Sequence, residues 1–364
     1  MAPHELSIRA EDGEAEMFYV GPEPWHRQGT RLQEPATAKE AIIAAHLDLE
    51  VELQPLVRQE GWNVYKSVPD KYAIVRKDTD VTFALVSGEY QIVQNAESFD
   101  LFEDVIGQGQ AVYHTAGALR EGRVVFILAK LPDTLEVVKN DPIDKYILLS
   151  TSHDRTKSLE MSITPIRVVC MNTLRFALSR ATHRIKIRHT GRTQARAVEA
   201  REALSLNDAY YQTMMAGLER LVQTPMSTDD MKTYSLSFLN ANPETAEDKL
   251  HAYTVENMDR LCDLFETGRG QDIPGVRGTA YAALNATTEF LDNFKRVTVE
   301  GGIRQDDLQA QDKRLYNSWF GRGQSHRDTA FTLLQKYSAY GSSAFEGTYL
   351  PRKRRIRRPQ TMAA

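Results

Sequence analysis

Cysteine is almost absent: Cys170 and Cys262 are the only two in 364 residues. This excludes a disulfide framework and a cysteine-rich zinc site, and it suits a reducing compartment. Long apolar runs are lacking too. No stretch approaches the roughly 18 apolar residues of a membrane-spanning helix, and the mean hydropathy is −0.45. Residues 1–16 are acid-rich with no apolar core, so no secretory signal is expected there. No charge sign dominates: 45 basic against 49 acidic residues leave a net charge of −4, so the whole chain is not a polycation. Enzyme motifs are missing as well. There is no Gly-x-x-x-x-Gly-Lys-Ser/Thr, His-Glu-x-x-His, Cys-x-x-Cys or Gly-x-Ser-x-Gly run. Gly107-Gln108-Gly109 follows an expected helix rather than a strand, which does not suit a dinucleotide fingerprint. The nine histidines are scattered, with no metal-ligand spacing on a helix face. These absences favour a binding protein over an enzyme. No metal, cofactor or membrane contact is expected, and the location expected is cytoplasmic.

What is present is ordinary globular material. Apolar residues make up 41% and charged residues 26%, enough to bury a core. The charge is unevenly spread. Residues 1–60 hold twelve acids against five bases, whereas residues 352–358 hold six bases in seven positions. Without those six, the rest of the chain stands at −10.

Patterning predicts an α+β fold: an antiparallel, twisted sheet with packed helices, followed by a mostly helical C-terminal region. Thr37 and Glu40 form a capping box for a helix over 36–47. Alternating β-branched and aromatic residues predict strands at 51–57, 72–76, 81–86 and 90–93, then a helix capped by Asn95. Further strands are expected at 111–114, 123–131, 134–138, 146–152, 159–169 and 183–189. A short helix is expected to open at 171–173. From 193 the pattern is helical, with Leu204, Tyr211, Leu218 and Leu221 as one buried stripe. Expected boundaries are an acidic N-terminal arm with a short helix at 1–50, an α+β core at 51–190, a helical region at 191–345 and a basic tail at 346–364.

Several runs together resemble one family. They are Met17-Phe18-Tyr19-Val20-Gly21, Pro24-Trp25-His26, and Thr164-Pro165-Ile166-Arg167-Val168-Val169-Cys170-Met171-Asn172-Thr173-Leu174. Gly278-Thr279-Ala280-Tyr281, Asn285-Ala286-Thr287-Thr288-Glu289 and Trp319-Phe320-Gly321 follow. Over residues 15–345 the chain resembles the phage/plasmid-like protein family built on domain of unknown function 932. Arg27 stands where similar proteins often carry glycine. The resemblance implies a gene of a mobile element acting in a host cytoplasm, and it brings no settled activity.

The residues themselves point first to nucleic acid. In the run His183 to His189, period-2 geometry groups Arg184, Lys186 and Arg188 on one face and Ile185 and Ile187 on the other. Same-face neighbours are roughly 6.5–7 Å apart, close to the phosphate spacing of an extended single strand. Arg180, Arg192, Arg196 and Arg201 flank the run, and Glu199 is the only acid from 180 to 201. Arg167 and Arg175 add charge beside the expected helix start at Asn172 or Thr173, where backbone amides bind phosphate. A solvated sheet face is the plainer alternative. Tyr65, Tyr72, Tyr90 and Tyr113 lie on or beside strands, either as stacking platforms or as sheet packing. The function expected is binding of nucleic acid, single-stranded DNA first, in annealing, recombination or replication, with self-association plausible.

Two alternatives stand beside it. Cys170 at a helix start, approached by His153, is a weak candidate for nucleophile and base on a phosphate-containing substrate near Arg167. A small buried cysteine and a polar hairpin tip are the plainer readings. A host-protein interaction factor that binds no DNA is the third possibility. Asn285, Glu289 and Asp292 share one helix face and suggest either a cation site or a solvated face.

Overall fold

Along residues 124–129 and 146–149 every side chain is apolar, so a strand there must be covered on both faces. The computed structural model shows that arrangement. It describes residues 6–21, 28–106, 112–167, 172–173, 184–187, 207–299, 302–304, 310, 313–314, 317 and 323–345.

The main sheet contains β1 (Met17–Val20), β2 (Thr30–Leu32), β6 (Val112–Leu119), β7 (Val124–Glu136) and β8 (Pro142–Ser152). It continues through β9 (Leu159–Ile163), β10 (Ile166–Arg167), β11 (Asn172–Thr173) and β12 (Arg184–Ile187). All described pairings are antiparallel except β1 with β2. β9 and β10 lie along β8 in one register, and β12 and β11 pair with them. The expected strands at 123–131 and 134–138 are one strand, β7, with a register shift between Lys130 and Thr134.

Helices α1 (Ala38–Ala44) and α2 (Asn95–Ile106) cover one face of the sheet. Phe99 and Phe102 meet Val125, Ile127, Ile147, Leu149, Leu159 and Met161 there. The capping box of α1 forms as expected, with Glu40 N–H on Thr37 Oγ1 and Thr37 N–H on the Glu40 carboxylate. Asn95 does not cap α2. Its side chain donates to Leu47 O and accepts from His153, while the Glu97 carboxylate takes the Gln94 N–H. On the opposite sheet face, Phe126, Leu128, Tyr146 and Leu148 pack with Leu6, Ala15 and Met17.

A second sheet comprises β3 (Val51–Gly61), β4 (Val64–Arg76) and β5 (Thr82–Val86). Both long strands exceed the expected ones. Tyr90 to Val93 forms no ladder; instead the Gln94 side chain bonds both backbone groups of Val51. Arg76 ties this sheet to the main one. Its guanidinium donates to Glu16 Oε1 at 2.6 Å, to Asp78 at 2.7 and 2.8 Å, and to Glu121 O at 3.1 Å. Gly122 sits against that group at φ +93, where a Cβ would lie 2.9 Å from Arg76 Nη1. A left-handed backbone and a close approach thus both require glycine there.

The helical region contains α3 (Asn207–Val222), α4 (Thr228–Phe238), α5 (Ala252–Thr267), α6 (Ala280–Glu289) and α7 (Gly323–Tyr340). A π turn at Phe290–Phe294 extends α6, and β13 (Val297–Val299) with β14 (Gly302–Arg304) adds a hairpin that patterning missed. Tyr211, Leu218 and Leu221 are buried in its core as expected, whereas Leu204 lies outside the described residues. The same core takes in Ile143 and Ile163 from the main sheet. Tyr281 closes this junction, its hydroxyl donating to Asp141 Oδ2 at 2.9 Å with both groups buried. No described helix is long and apolar enough to cross a membrane.

Candidate nucleic-acid interface

β12 pairs with β9 and, among the described residues, with no other strand. Its register is defined. Arg184 stands opposite Ser162, Ile185 opposite Met161, Lys186 opposite Glu160 and Ile187 opposite Leu159. Met161 and Leu159 are fully buried beneath α1 and α2. The isoleucine positions therefore align with core positions; of the basic positions that alternate with them, Arg184 aligns with Ser162, itself 7% exposed, and Lys186 with Glu160. One of those basic positions lies across from a half-buried carboxylate, Glu160, which reduces the local positive charge. Arg188, Arg175, Arg180, Arg192 and Cys170 lie outside the described residues, as does the tail at 346–364.

Arg167 sits in β10, opposite Ile143 on one side and Asn172 on the other. Asn172 and Thr173 are strand residues paired with β10, and the helix expected to follow them lies outside the described residues.

His153 is 4% exposed, hydrogen-bonded to Asn95 at 3.0 Å and stacked on Phe83. Its backbone N–H continues the ladder to Arg123 O. The ring thus serves the junction of α2 with the two sheets. Asp154 folds onto its own turn, accepting from Thr156 N–H at 2.9 Å. A buried, packed imidazole is poorly placed to act as a base on an incoming substrate.

The face of Asn285, Glu289 and Asp292 is not solvated. Asn285 is 1% exposed, Glu289 accepts from Arg269 N–H at 3.0 Å, and Asp292 pairs with the buried Arg327. The two carboxylates are turned to separate arginines. Among the described residues no cluster of three His, Cys, Asp or Glu side chains could hold a metal ion.

The tyrosines divide clearly. Tyr113 is buried between Phe99 and Phe102, Tyr72 and Tyr90 are half-buried against the second sheet's core, and Tyr65 is exposed. Tyr65 belongs to a feature absent from the sequence reading. Beyond Pro55 and Tyr72, β3 and β4 continue as a two-stranded ribbon that turns at Trp62-Asn63, with Asn63 at φ +55. Both of its faces are exposed from Val57 to Ser67. Trp62 is 90% exposed, and Val57, Val64 and Tyr65 are more than half exposed. Arg58 stands directly opposite Lys66, and Glu60 reaches both, at 2.6 and 3.8 Å. An alternation test had little to detect here, because neither face is buried and nothing selects a period. The Gly61-Trp62-Asn63 turn was the available signal.

The family comparison bears on most of this architecture. The profile described as "Domain of unknown function (DUF932)" matches residues 82–320. That span includes β5 to β14, α2 to α6 and the candidate residues Arg167, Arg184 and Lys186, and it excludes the ribbon. No curated protein and no solved structure is measurably similar to the chain. By this match, which spans well over half of its length, the chain belongs to the DUF932 family.

Proposed function

We propose that this protein is a nucleic-acid-binding accessory factor of a phage or plasmid, acting in the host cytoplasm on single-stranded DNA in annealing, recombination or replication. The observation that carries the reading is the register of β12. Ile185 and Ile187 align with the buried Met161 and Leu159, so Arg184 and Lys186 take the alternate positions, opposite Ser162 and Glu160, on a strand that pairs with β9 and with no other strand among the described residues. A strand with one apolar and one cationic set of positions can pay for its folding with the first and leave the second for phosphate. Arg167 lies in β10, which continues along β8 from β9, the strand β12 pairs with, and Arg180, Arg188 and Arg192 flank β12 in sequence with Arg175 a little before them. The enzyme alternative draws less support, because His153 is committed to packing.

The test is a titration of labelled single- and double-stranded DNA at several salt concentrations, with the full chain and with a chain ending at Leu350. Binding should survive truncation and prefer the single strand. Replacing Arg184, Lys186 and Arg188 with Ser should leave the circular dichroism unchanged. It should flatten the log-affinity against log-salt slope by about two, at roughly 0.7 per phosphate contact. An unchanged slope would remove this strand from the interface.

A further inference from the structure

We infer that the distal β3–β4 ribbon is a base-stacking finger for unpaired nucleic acid, with Trp62 and Tyr65 offering ring faces and Arg58 and Lys66 taking phosphate. The inference rests on the proposed nucleic-acid function and locates a contact that lies outside the family-matched segment.

Four observations lead to it. First, no contact among the described residues buries the tip. A two-stranded ribbon standing alone in water is marginally stable, yet this one carries Trp62 at 90% exposure together with Val57, Val64 and Tyr65. Exposing a tryptophan this completely gains nothing for folding, since its ring would otherwise be a large buried asset. Second, Arg58 and Lys66 form a directly opposed cross-strand pair of like charge, an arrangement that is unfavourable in isolation. One carboxylate, Glu60, serves both, which leaves an excess cation. A bound anion would complete the pairing, so charge complementarity selects a phosphate ligand over an apolar partner. Third, the ribbon carries both rings and cations. Register places Arg58 opposite Lys66 and Gln59 opposite Tyr65, so the cation pair lies on one face, Tyr65 on the other, and Trp62 in the turn at the tip. Rings and cations are the two kinds of group that sequence-tolerant single-strand sites combine. Fourth, the finger has a defined root. The ladder shifts between Pro55 and Val57, and on the partner strand Val68, Pro69, Asp70 and Lys71 fill the bulge. Asp70 takes the left-handed φ of +54, and its carboxylate accepts from Gly88 N–H at 2.8 Å. The bulge is thereby pinned to the turn after β5, and the ribbon beyond it stands clear of the core.

The experiment uses the full chain, a fluorescein-labelled oligothymidylate of about 20 nucleotides and a duplex of the same length. Trp62→Ala with Tyr65→Ala should weaken single-strand binding by at least about 5- to 100-fold, the range of one lost stacking contact, with an unaltered salt slope. Trp62→Phe should retain most of the affinity, because a ring remains. Arg58→Ser with Lys66→Ser should lower the salt slope by about 1.4. These side chains touch no core, and far-UV circular dichroism should show each variant folded. If wild type binds with a normal salt slope and the double aromatic variant binds equally well, the finger is refuted and the β12 interface stands. If the aromatic variant instead changes only the sedimentation coefficient, the tip contacts a second copy of the chain and the inference is overturned. If the duplex is preferred and Trp62→Ala has no effect, it is overturned as well. If wild type binds neither oligonucleotide at about 50 mM salt, where phosphate contacts are strong, the finger and the proposed function fall together.

Discussion

Replacing Arg76 with Met should cost about 3–5 kcal/mol at pH 7. Arg76 and Glu16 are 7% and 2% exposed and meet at 2.6 Å. Burial by itself would lower the Arg76 pKa, but hydrogen bonds to Asp78 and Glu16 outweigh it and hold the guanidinium charged well above its ordinary range. Glu16 Oε2 has no hydrogen-bond partner among the described residues, so the carboxylate depends on this arginine. Methionine would strand that charge in the interior. Breaking a buried pair this way costs roughly 3–5 kcal/mol. Urea titrations at pH 7 measure the loss, and adding Glu16→Gln to Arg76→Met should recover most of it, because no charge is then left buried. A double variant no more stable than Arg76→Met alone would show that packing, not charge, is at stake. A deficit under about 1 kcal/mol at pH 7 would refute the argument that this pair joins the two sheets.

Other expectations are accessible to simple assays. Burial, and then the nearby Arg327, push the Lys295 ammonium down to about 8. A cation with a depressed pKa is a liability while protonated, so wild-type stability should rise as pH goes from 8 towards 10.5, and Lys295→Met should abolish that rise in urea titrations. Arg314 donates to Lys295 O, and Asp292 pairs with Arg327, so the salt dependence of the effect should be weak. Burial pushes the Cys262 thiol up to about 11. Iodoacetamide labelling followed by mass spectrometry should therefore find Cys262 almost inert at pH 7.5 in the folded protein and reactive after denaturation. Rapid, pH-dependent labelling of Cys170 under the same conditions would revive the enzyme alternative.

Certain elements of this protein were decided locally and could be read without any structure. The α1 capping box needs only Thr37 and Glu40 three residues apart, and it forms as written. The apolar runs of β7 and β8 are short, β-branched and bounded by turn residues, which marks them as strands covered on both faces rather than buried helix segments. The stripe of Tyr211, Leu218 and Leu221 repeats at helical spacing, and it faces the helical core. What the tertiary structure decided are the positions where a residue's partner is remote in sequence. Asn95 has the chemistry of a cap, but Leu47 O and His153 claim its amide from 48 and 58 residues away. Asn172 and Thr173 read locally as a helix start, and their strand character comes from the ladder with Ile166 and Arg167. Asn285, Glu289 and Asp292 share a helix face in any reading, yet only packing against Arg269 and α7 determines that the face is buried. The ribbon is the converse case. Its residues have no apolar period because no core selects one, so only the backbone ladder across Trp62-Asn63 reveals that it exists. Period and capping are encoded within a few residues of chain, whereas burial and pairing belong to the contacts that folding brings together.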